Sequence, residues 1–323
     1  MTAKQILLFP LILLSLVSHL HSQVTIKQMN GRISVEIDHK PFTDLYFGPE
    51  YMKPFLHPLR SVHGTIVTRH FPMEELDGES RDHKHQRGLW IAHSNVNGFD
   101  FWNNESSYTT PNRGRIQLNK VRKLKSGAKH GSIAASFDWK DPSGKVLLRE
   151  NRTMTFYADP VNRVIDFNFE LIAATRVTLG DVKDGIFGMR VASGLEAARP
   201  GVPLDPARTG TMVNSDGASG EKDCWGKHAS WMDYFGTVDG EKVGIAIFDN
   251  PSNLRRGYWH SRDYGLFAIN ITGAKEFTHD SNADASLRLR LGDRLRLRYR
   301  VVIHPGDYKD AKISALYSVY AHQ

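Results

Sequence analysis

The 323-residue chain predicts an all-β fold, a large antiparallel β-sandwich with a helix at its C-terminus. Three observations predict it. Apolar residues recur with period two, or in short runs, along almost the whole chain. Turn signals separate these runs at hairpin-like intervals: Asn30-Gly31, Pro142-Ser143-Gly144, Asp159-Pro160, Asp239-Gly240 and Gly292-Asp293. One segment alone, at the end, has a convincing helical period.

In chain order, strands are expected at 24–29 and 33–37, where Val24 and Ile26, then Ile33, Val35 and Ile37, alternate with polar residues. The β-branched run at 65–71 is expected to be a third. Segments 116–124, 132–139, 146–157 and 164–173 continue the alternation through Ile133, Phe137, Met154, Ile165 and Phe169. Residues 231–235, 243–248 and 266–271 continue the series of alternating or short apolar runs and are expected as further strands. From Leu287 to Arg300, strict alternation sets leucines and Tyr299 on one face of a hairpin and six arginines on the other. In the closing helix Asp307 is the expected cap, with Ile313, Leu316, Val319 and Tyr320 on one face. Residues 197–208, with three prolines, read as a loop.

Composition, 40% hydrophobic and 24% charged, excludes extended disorder. Lys4, an apolar run over 6–17 and a polar stretch to Ser22 have the layout of a secretory signal peptide. The expected organisation is therefore a signal peptide over 1–22 and one domain over 23–323, exported from a bacterium to the periplasm or medium. No later apolar run is long enough for a spanning helix, so no membrane insertion is expected after signal removal. Cys224 has no partner for an internal disulfide and reads as a small packed side chain. Formal charge is +7, concentrated in the arginine segment. A solvated outer sheet face is the preferred reading of that segment, with contact to an acidic glycan as the alternative; nucleic acid is not expected.

Six of the fifteen histidines fall between positions 57 and 93. The groups that could carry chemistry are His57, His63, Arg69 and His70; then the run from Asp82 to Asn104; then Lys183-Asp184-Gly185 with Arg190; and last Asp249–Asn253 with Trp259–Gly265. On an extended segment, His83-x-His85 would put two imidazoles on one side, and His93 could return as a third metal ligand. The carboxylate that a cupin-like site would need falls on Leu89. Sugar chemistry is the alternative for the same residues. Trp90, Trp102, Trp225, Trp231 and Trp259 could stack on sugar rings beside Asn97, Asp100, Asn103, Asp184, Asn250, Asn253 and Arg262. Histidine titrates near neutrality and can move the proton. Nucleophile-elbow, phosphate-loop and dinucleotide fingerprints are absent.

The string Asp82-His83-Lys84-His85-Gln86-Arg87-Gly88-Leu89-Trp90, running on to Asn97-Gly98-Phe99-Asp100-Phe101-Trp102, resembles the bacterial PmoA family. So do Lys183-Asp184-Gly185, Asn250-Pro251-Ser252-Asn253 and Trp259-His260-Ser261-Arg262-Asp263-Tyr264-Gly265. Gln86 departs from it, where the family carries a second histidine. The layout is also similar to the galactose-mutarotase-like supersandwich, which implies sugar binding on a concave sheet face. Together these imply an exported carbohydrate-active protein performing acid/base chemistry, as epimerase, lyase or hydrolase, on a sugar or oxidised glycoside. His83, His85, Asp184 and His260 are the expected catalytic residues. Arg87, Trp90, Asn97, Asp100, Trp102, Arg190, Asn253, Trp259 and Arg262 are the expected substrate-binding residues. The alternatives are a non-catalytic glycan-binding protein and a His-ligated metalloenzyme, an oxygenase as the family name suggests. No cofactor is expected on the first reading; the metalloenzyme would use one ion on His83, His85 and His93. The expected partner is a small molecule or an oligosaccharide.

Overall fold

Alternating side chains become a sandwich when one face of each of two sheets is apolar. The computed structural model describes residues 23–198 and 207–323. The expected signal peptide and the three prolines of the expected loop lie outside the described residues. The strands are β1 (Val24–Met29), β2 (Arg32–Ile37), β3 (Lys40–Tyr46), β4 (Phe55–His57), β5 (Leu89–His93) and β6 (Arg115–Lys125). Next come β7 (His130–Lys140), β8 (Val146–Tyr157), β9 (Arg163–Ala173), β10 (Val177–Leu179), β11 (Gly185–Arg190) and β12 (Thr211–Asn214). The last six are β13 (Trp231–Val238), β14 (Glu241–Asp249), β15 (Tyr258–Ser261), β16 (Leu266–Asn270), β17 (Leu287–Leu289) and β18 (Arg294–Pro305). Three helices are described: α1 (Glu221–Cys224), α2 (Ala274–Thr278) and α3 (Ile313–Ala321).

The strands build two eight-stranded antiparallel sheets, ordered β1-β2-β3-β4-β5-β11-β16-β15 and β12-β13-β14-β18-β9-β8-β7-β6, with β10 and β17 as a separate pair. The expected all-β antiparallel sandwich with a C-terminal helix is therefore the observed architecture. Phe187 of the first sheet meets Phe167 and Tyr299 of the second at ring-centroid distances of 4.9 and 4.8 Å, which fixes the inner faces. Inside this apolar layer lies an ion pair. Glu150 and Arg152, two residues apart on β8, point inward and meet at 2.6 Å. Trp139 donates its indole N–H to Glu150 at 2.8 Å, and the Arg152 guanidinium lies over Phe137 and Phe169.

Three expectations fail locally. Residues 65–71 form no strand; they make only the bridges Arg60↔Ile66 and Thr68↔Val191, because the segment is tied down by the buried Arg69 side chain. The arginine segment is not one hairpin. β17 pairs with β10 and β18 with β9, because Gly292 and Asp293 hydrogen-bond to Ala173 at the end of β9 and turn the chain into the other sheet. The alternation itself holds, with Leu295, Leu297 and Tyr299 buried and Arg294, Arg296 and Arg298 exposed. Asp307 caps the turn before α3 through Lys309 and Asp310, not α3 itself, and Val319 faces solvent while Ile313 and Tyr320 pack.

A second buried pair lies on the outer face of the second sheet. His304 Nε2 and Asp233 meet at 2.7 Å, and Gly244 leaves room for the His304 ring. Burial pulls the His304 pKa down, but the Asp233 charge and hydrogen bond outweigh it and raise the pKa above 6.5. The sign follows: this stabilisation is complete below pH 6.5 and is lost as pH rises through the folded-state value. Urea midpoints measured from about pH 6 to 9 should fall by more in the native chain than in His304→Gln. Equal slopes would refute this role.

Candidate functional site

Cross-strand pairing decides which side chains share a face. Trp90, Gly188, Ala268 and His260 stand directly opposite one another across β5, β11, β16 and β15 and occupy one row. The neighbouring row, Ile91, Phe187, Ile269 and Trp259, points into the sandwich. His260 is therefore on the outer face of the first sheet because Trp259 is on the inner one. The outer row is floored by a glycine and an alanine, and a Cβ at Gly188 would sit 2.7 Å from the Trp102 indole that covers it.

Over this face the chain brings three distant segments together. The first is the turn before β5. It is not extended as expected: His83 has φ 43°, and Gln86 N–H bonds to the His83 carbonyl, so the two imidazoles meet edge to face at 5.6 Å. The turn leads into Gly88 (φ 50°), where any Cβ would strike the Leu56 carbonyl. Asp82 accepts from Arg69 at 2.7 Å, pairs with Arg190 at 3.0 Å and with His83 Nδ1 at 3.0 Å. Burial opposes its ionisation, but the His83 hydrogen bond and the two guanidinium charges hold the carboxyl well below the usual carboxylate range. Asp82 is thus a fixed anion that anchors the turn.

The second and third segments carry a relay. Trp225, at the end of α1, donates its indole N–H to His260 Nδ1 at 2.8 Å. An indole only donates, so Nδ1 must accept, and the neutral ring carries its proton on Nε2. That nitrogen lies 3.4 Å from Asp184 Oδ1, just before β11. The Asp184 pKa is pushed up by burial, but the hydrogen bond from His260 and the nearby Lys183 charge bring it below its ordinary value. His85 completes the set. It is 5% exposed, its Nδ1 is 3.3 Å from the Tyr108 hydroxyl, and its buried Nε2 has no hydrogen-bond partner among the described residues. Burial, then the Lys53 and His83 charges, drive its pKa well below 6.5, so it is a neutral imidazole. His83, 41% exposed, forms the rim, stacked on Tyr264 at 5.4 Å with ring planes 1° apart. Arg190 and Arg262 lie over the same tyrosine ring at 4.7 and 5.6 Å.

The four expected catalytic residues therefore come to one place, and most of the expected binding residues do not face it. Trp90, Trp102 and Trp259 are 0–1% exposed and serve as packing, not as a sugar platform. A tryptophan flanked by polar residues in sequence can point to either face of a strand, and these point into the core or under the covering loop. Asn97 binds the backbone of Arg176 and Thr178, and Asp100 binds Trp102, Asn103 and Arg113; both hold loop turns. Asn253 closes a turn onto Asp249 and the Arg298 backbone. Arg87 is held by Glu105 at 2.9 Å beside the site, Arg190 is buried under its rim, and Arg262 pairs with Glu221 at 2.7 Å. The three-histidine metal set is not assembled. His93 accepts from the Asn95 N–H on Nδ1 and meets Thr272 on Nε2 at 2.9 Å, so both nitrogens are taken. No group of three metal-ligating side chains occurs among the described residues.

Of the first sequence group, His57 is buried, its pKa lowered to about 3 by that burial, and His63 is exposed. Arg69 anchors Asp82, and His70 bonds to Glu79 at 3.2 Å beside a cavity of about 600 Å³. That cavity holds neither the relay nor an orphaned imidazole, so the candidate site is placed at His85, Asp184 and His260. Cys224 is buried, donates to the Ala218 carbonyl and has its thiol pushed up to about 12 by burial, as a packed side chain should. Lys53, Glu105 and Tyr108 were not legible as site-adjacent in sequence. Lys53 is fully buried, bound to the Trp102 carbonyl and Asn104, with its pKa lowered by burial to about 7. A lysine that close to an aromatic pair, Tyr51 and Phe55, was the available signal. No helix of the described residues is long and apolar enough to cross a membrane.

The model of a family of unknown function (DUF6807) matches residues 32–318, and the match carries no PmoA name. No curated protein matches the chain in sequence. Among solved structures, the chain is similar to a galactose mutarotase-like protein from Clostridium acetobutylicum, at 9% identity and TM-score 0.44, over 87% of this chain and 98% of that one. It is also similar to the GH36 alpha-galactosidase AgaA of Geobacillus stearothermophilus, at 10% identity and TM-score 0.41, over 88% of this chain. The chain spans 40% of the length of that enzyme.

Proposed function

The chain belongs to the DUF6807 family, whose function is unknown, and we propose from its outer-face cluster that it performs proton-transfer chemistry on a carbohydrate. The observation that carries this is the relay Trp225 → His260 → Asp184 beside a neutral, buried His85 whose Nε2 is unpartnered. Asp184, ionised and oriented by the fixed His260 tautomer, would take a proton as base, and His85 would act on the opposite group as acid or base. His83 and Tyr264 would meet the ring at the rim. The class of ligand follows from the lining: carboxylate, imidazoles, the Tyr108 and Tyr264 phenols and Arg262 suit a polyhydroxylated molecule. Epimerisation, elimination and hydrolysis all use such a pair. The PmoA resemblance belongs to this reading on its motifs alone, and export on the 1–22 segment alone.

The test is a screen of mono- and oligosaccharides, neutral and oxidised, followed by NMR of the unlabelled products and of solvent deuterium incorporation. Asp184→Asn should remove conversion and deuterium exchange together while thermal unfolding stays within a few degrees. Conversion retained in Asp184→Asn would sink the proposal.

A further inference from the structure

The second sheet has one covered and one bare half on its outer side. The turn after β18 and helix α3 cover β13, β14 and the end of β18, where Trp231, Phe248, Val302, Ile313 and Tyr320 form a small second core. Over β9, β8, β7 and β6 no element of the described residues lies on the sheet, and the outward residues are partly or wholly exposed apart from the buried Ser136. Register arranges them in rows. One row reads Arg298, Asn168, Thr153, Ala134, Lys123 across β18, β9, β8, β7 and β6. The next reads Arg296, Glu170, Asn151, Ser136, Lys120. Each row has a cation at both ends and short, mostly polar groups between. With strands about 4.8 Å apart, the two cationic rims stand about 19 Å from each other.

The carboxylates of this face do not neutralise it. Glu170 takes Arg294 and Arg296, Asp166 takes Arg300 through two contacts at 2.6 and 2.8 Å, and Asp138, opposite Arg149 in the register, accepts from Asn119. Arg298, Arg149, Lys120 and Lys123 have no carboxylate at ion-pair distance among the described residues. Lysines on the edge strand β6 guard against edge-to-edge pairing, which explains half the pattern. It does not explain Arg296 and Arg298, four strands inside the edge.

We infer that this bare face docks a carboxylated polysaccharide, lying across the rows with its acid groups on the two rims and its hydroxyls over the threonine and asparagine side chains. The face already shows the geometry: Arg300 grips the Asp166 carboxylate with two nitrogens, as a guanidinium grips any carboxylate. Single-stranded nucleic acid, the other polyanion, holds to flat sheets by stacking bases on aromatic rings, and the two rows hold none. This docking stands apart from the proton chemistry on the first sheet and does not depend on it.

The experiment is affinity electrophoresis and calorimetry of the whole chain with polygalacturonate, neutral galactan, heparin and single-stranded DNA. Polygalacturonate should bind, galactan should not, and binding should weaken steadily with salt. Arg298→Glu with Lys123→Glu breaks no ion pair of the fold and should weaken binding about tenfold, with Arg298→Gln with Lys123→Gln falling between it and the native chain. Asp184→Asn should bind as the native chain does, which separates this proposal from the catalytic one. The inference is overturned if both rim variants bind normally, if galactan binds equally well, or if heparin or DNA binds more tightly than polygalacturonate.

Discussion

His260→Ala should lower turnover by about 10²–10⁴-fold, the range expected when acid–base catalysis loses a properly held group. The loss should fall on kcat more than on KM, because His260 touches Asp184 and Trp225 and lies beneath the ligand's position. A structural role alone would not move the pH profile, and here it should move. Burial raises the Asp184 pKa and the His260 hydrogen bond is the first influence that lowers it. Removing the imidazole therefore lets the carboxyl titrate higher, and the acid limb of the rate profile should shift to higher pH. Trp225→Phe should give a milder version: the ring survives, but with no donor on Nδ1 its proton is free to sit on either nitrogen. Pre-steady-state rates and a kcat profile from about pH 4 to 9 decide the matter. A variant with unchanged profile and unchanged kcat would show that His260 only fills space.

Arg152→Ala should be the most destabilising single change outside the site, costing about 3–5 kcal/mol, because it leaves Glu150 charged between the sheets with one indole N–H as partner. The guanidinium also spans Phe137 and Phe169, so its stem is lost as packing. Converting the pair together, Glu150→Leu with Arg152→Met, should recover much of that loss, since apolar groups of similar size need no counter-charge. Urea unfolding of the two variants separates the cost of an orphaned charge from the worth of the pair. Equal destabilisation in both would mean that the pair is favourable in itself.

Much of the sandwich was legible because its long strands alternate without interruption. Ile165, Phe167, Phe169 and Leu171 announce β9, and Leu295, Leu297 and Tyr299 announce β18. The short strands were not legible. β5 and β15 are built from the same histidines and tryptophans that suggested chemistry, and a motif rich in polar groups conceals a period of two over four or five residues. Position 65–71 failed the other way: β-branched residues promised a strand, but the charge of Arg69 had to be buried against Asp82. The clustering of His83, His85, Asp184 and His260 could be suspected from composition. The tautomer of His260 could not, because it is set by Trp225, 35 residues away and on a different element. Nor could the tryptophan platform be refused on sequence, since nothing in the string says which face of its strand a ring will take.

The alternation of β15 has a consequence for how this protein can change over generations. Trp259 fills the core and His260 serves the site, and the two are adjacent on a strand of four residues. One inserted or deleted residue in the connection before it, 250–257, would have to be absorbed before Tyr258 or it would exchange the two roles, emptying the core and blinding the site in a single event. Some side chains of that connection are held as firmly as its length, since Asn253 bonds to Asp249 and the Arg298 backbone and a Cβ at Gly257 would strike Ile269.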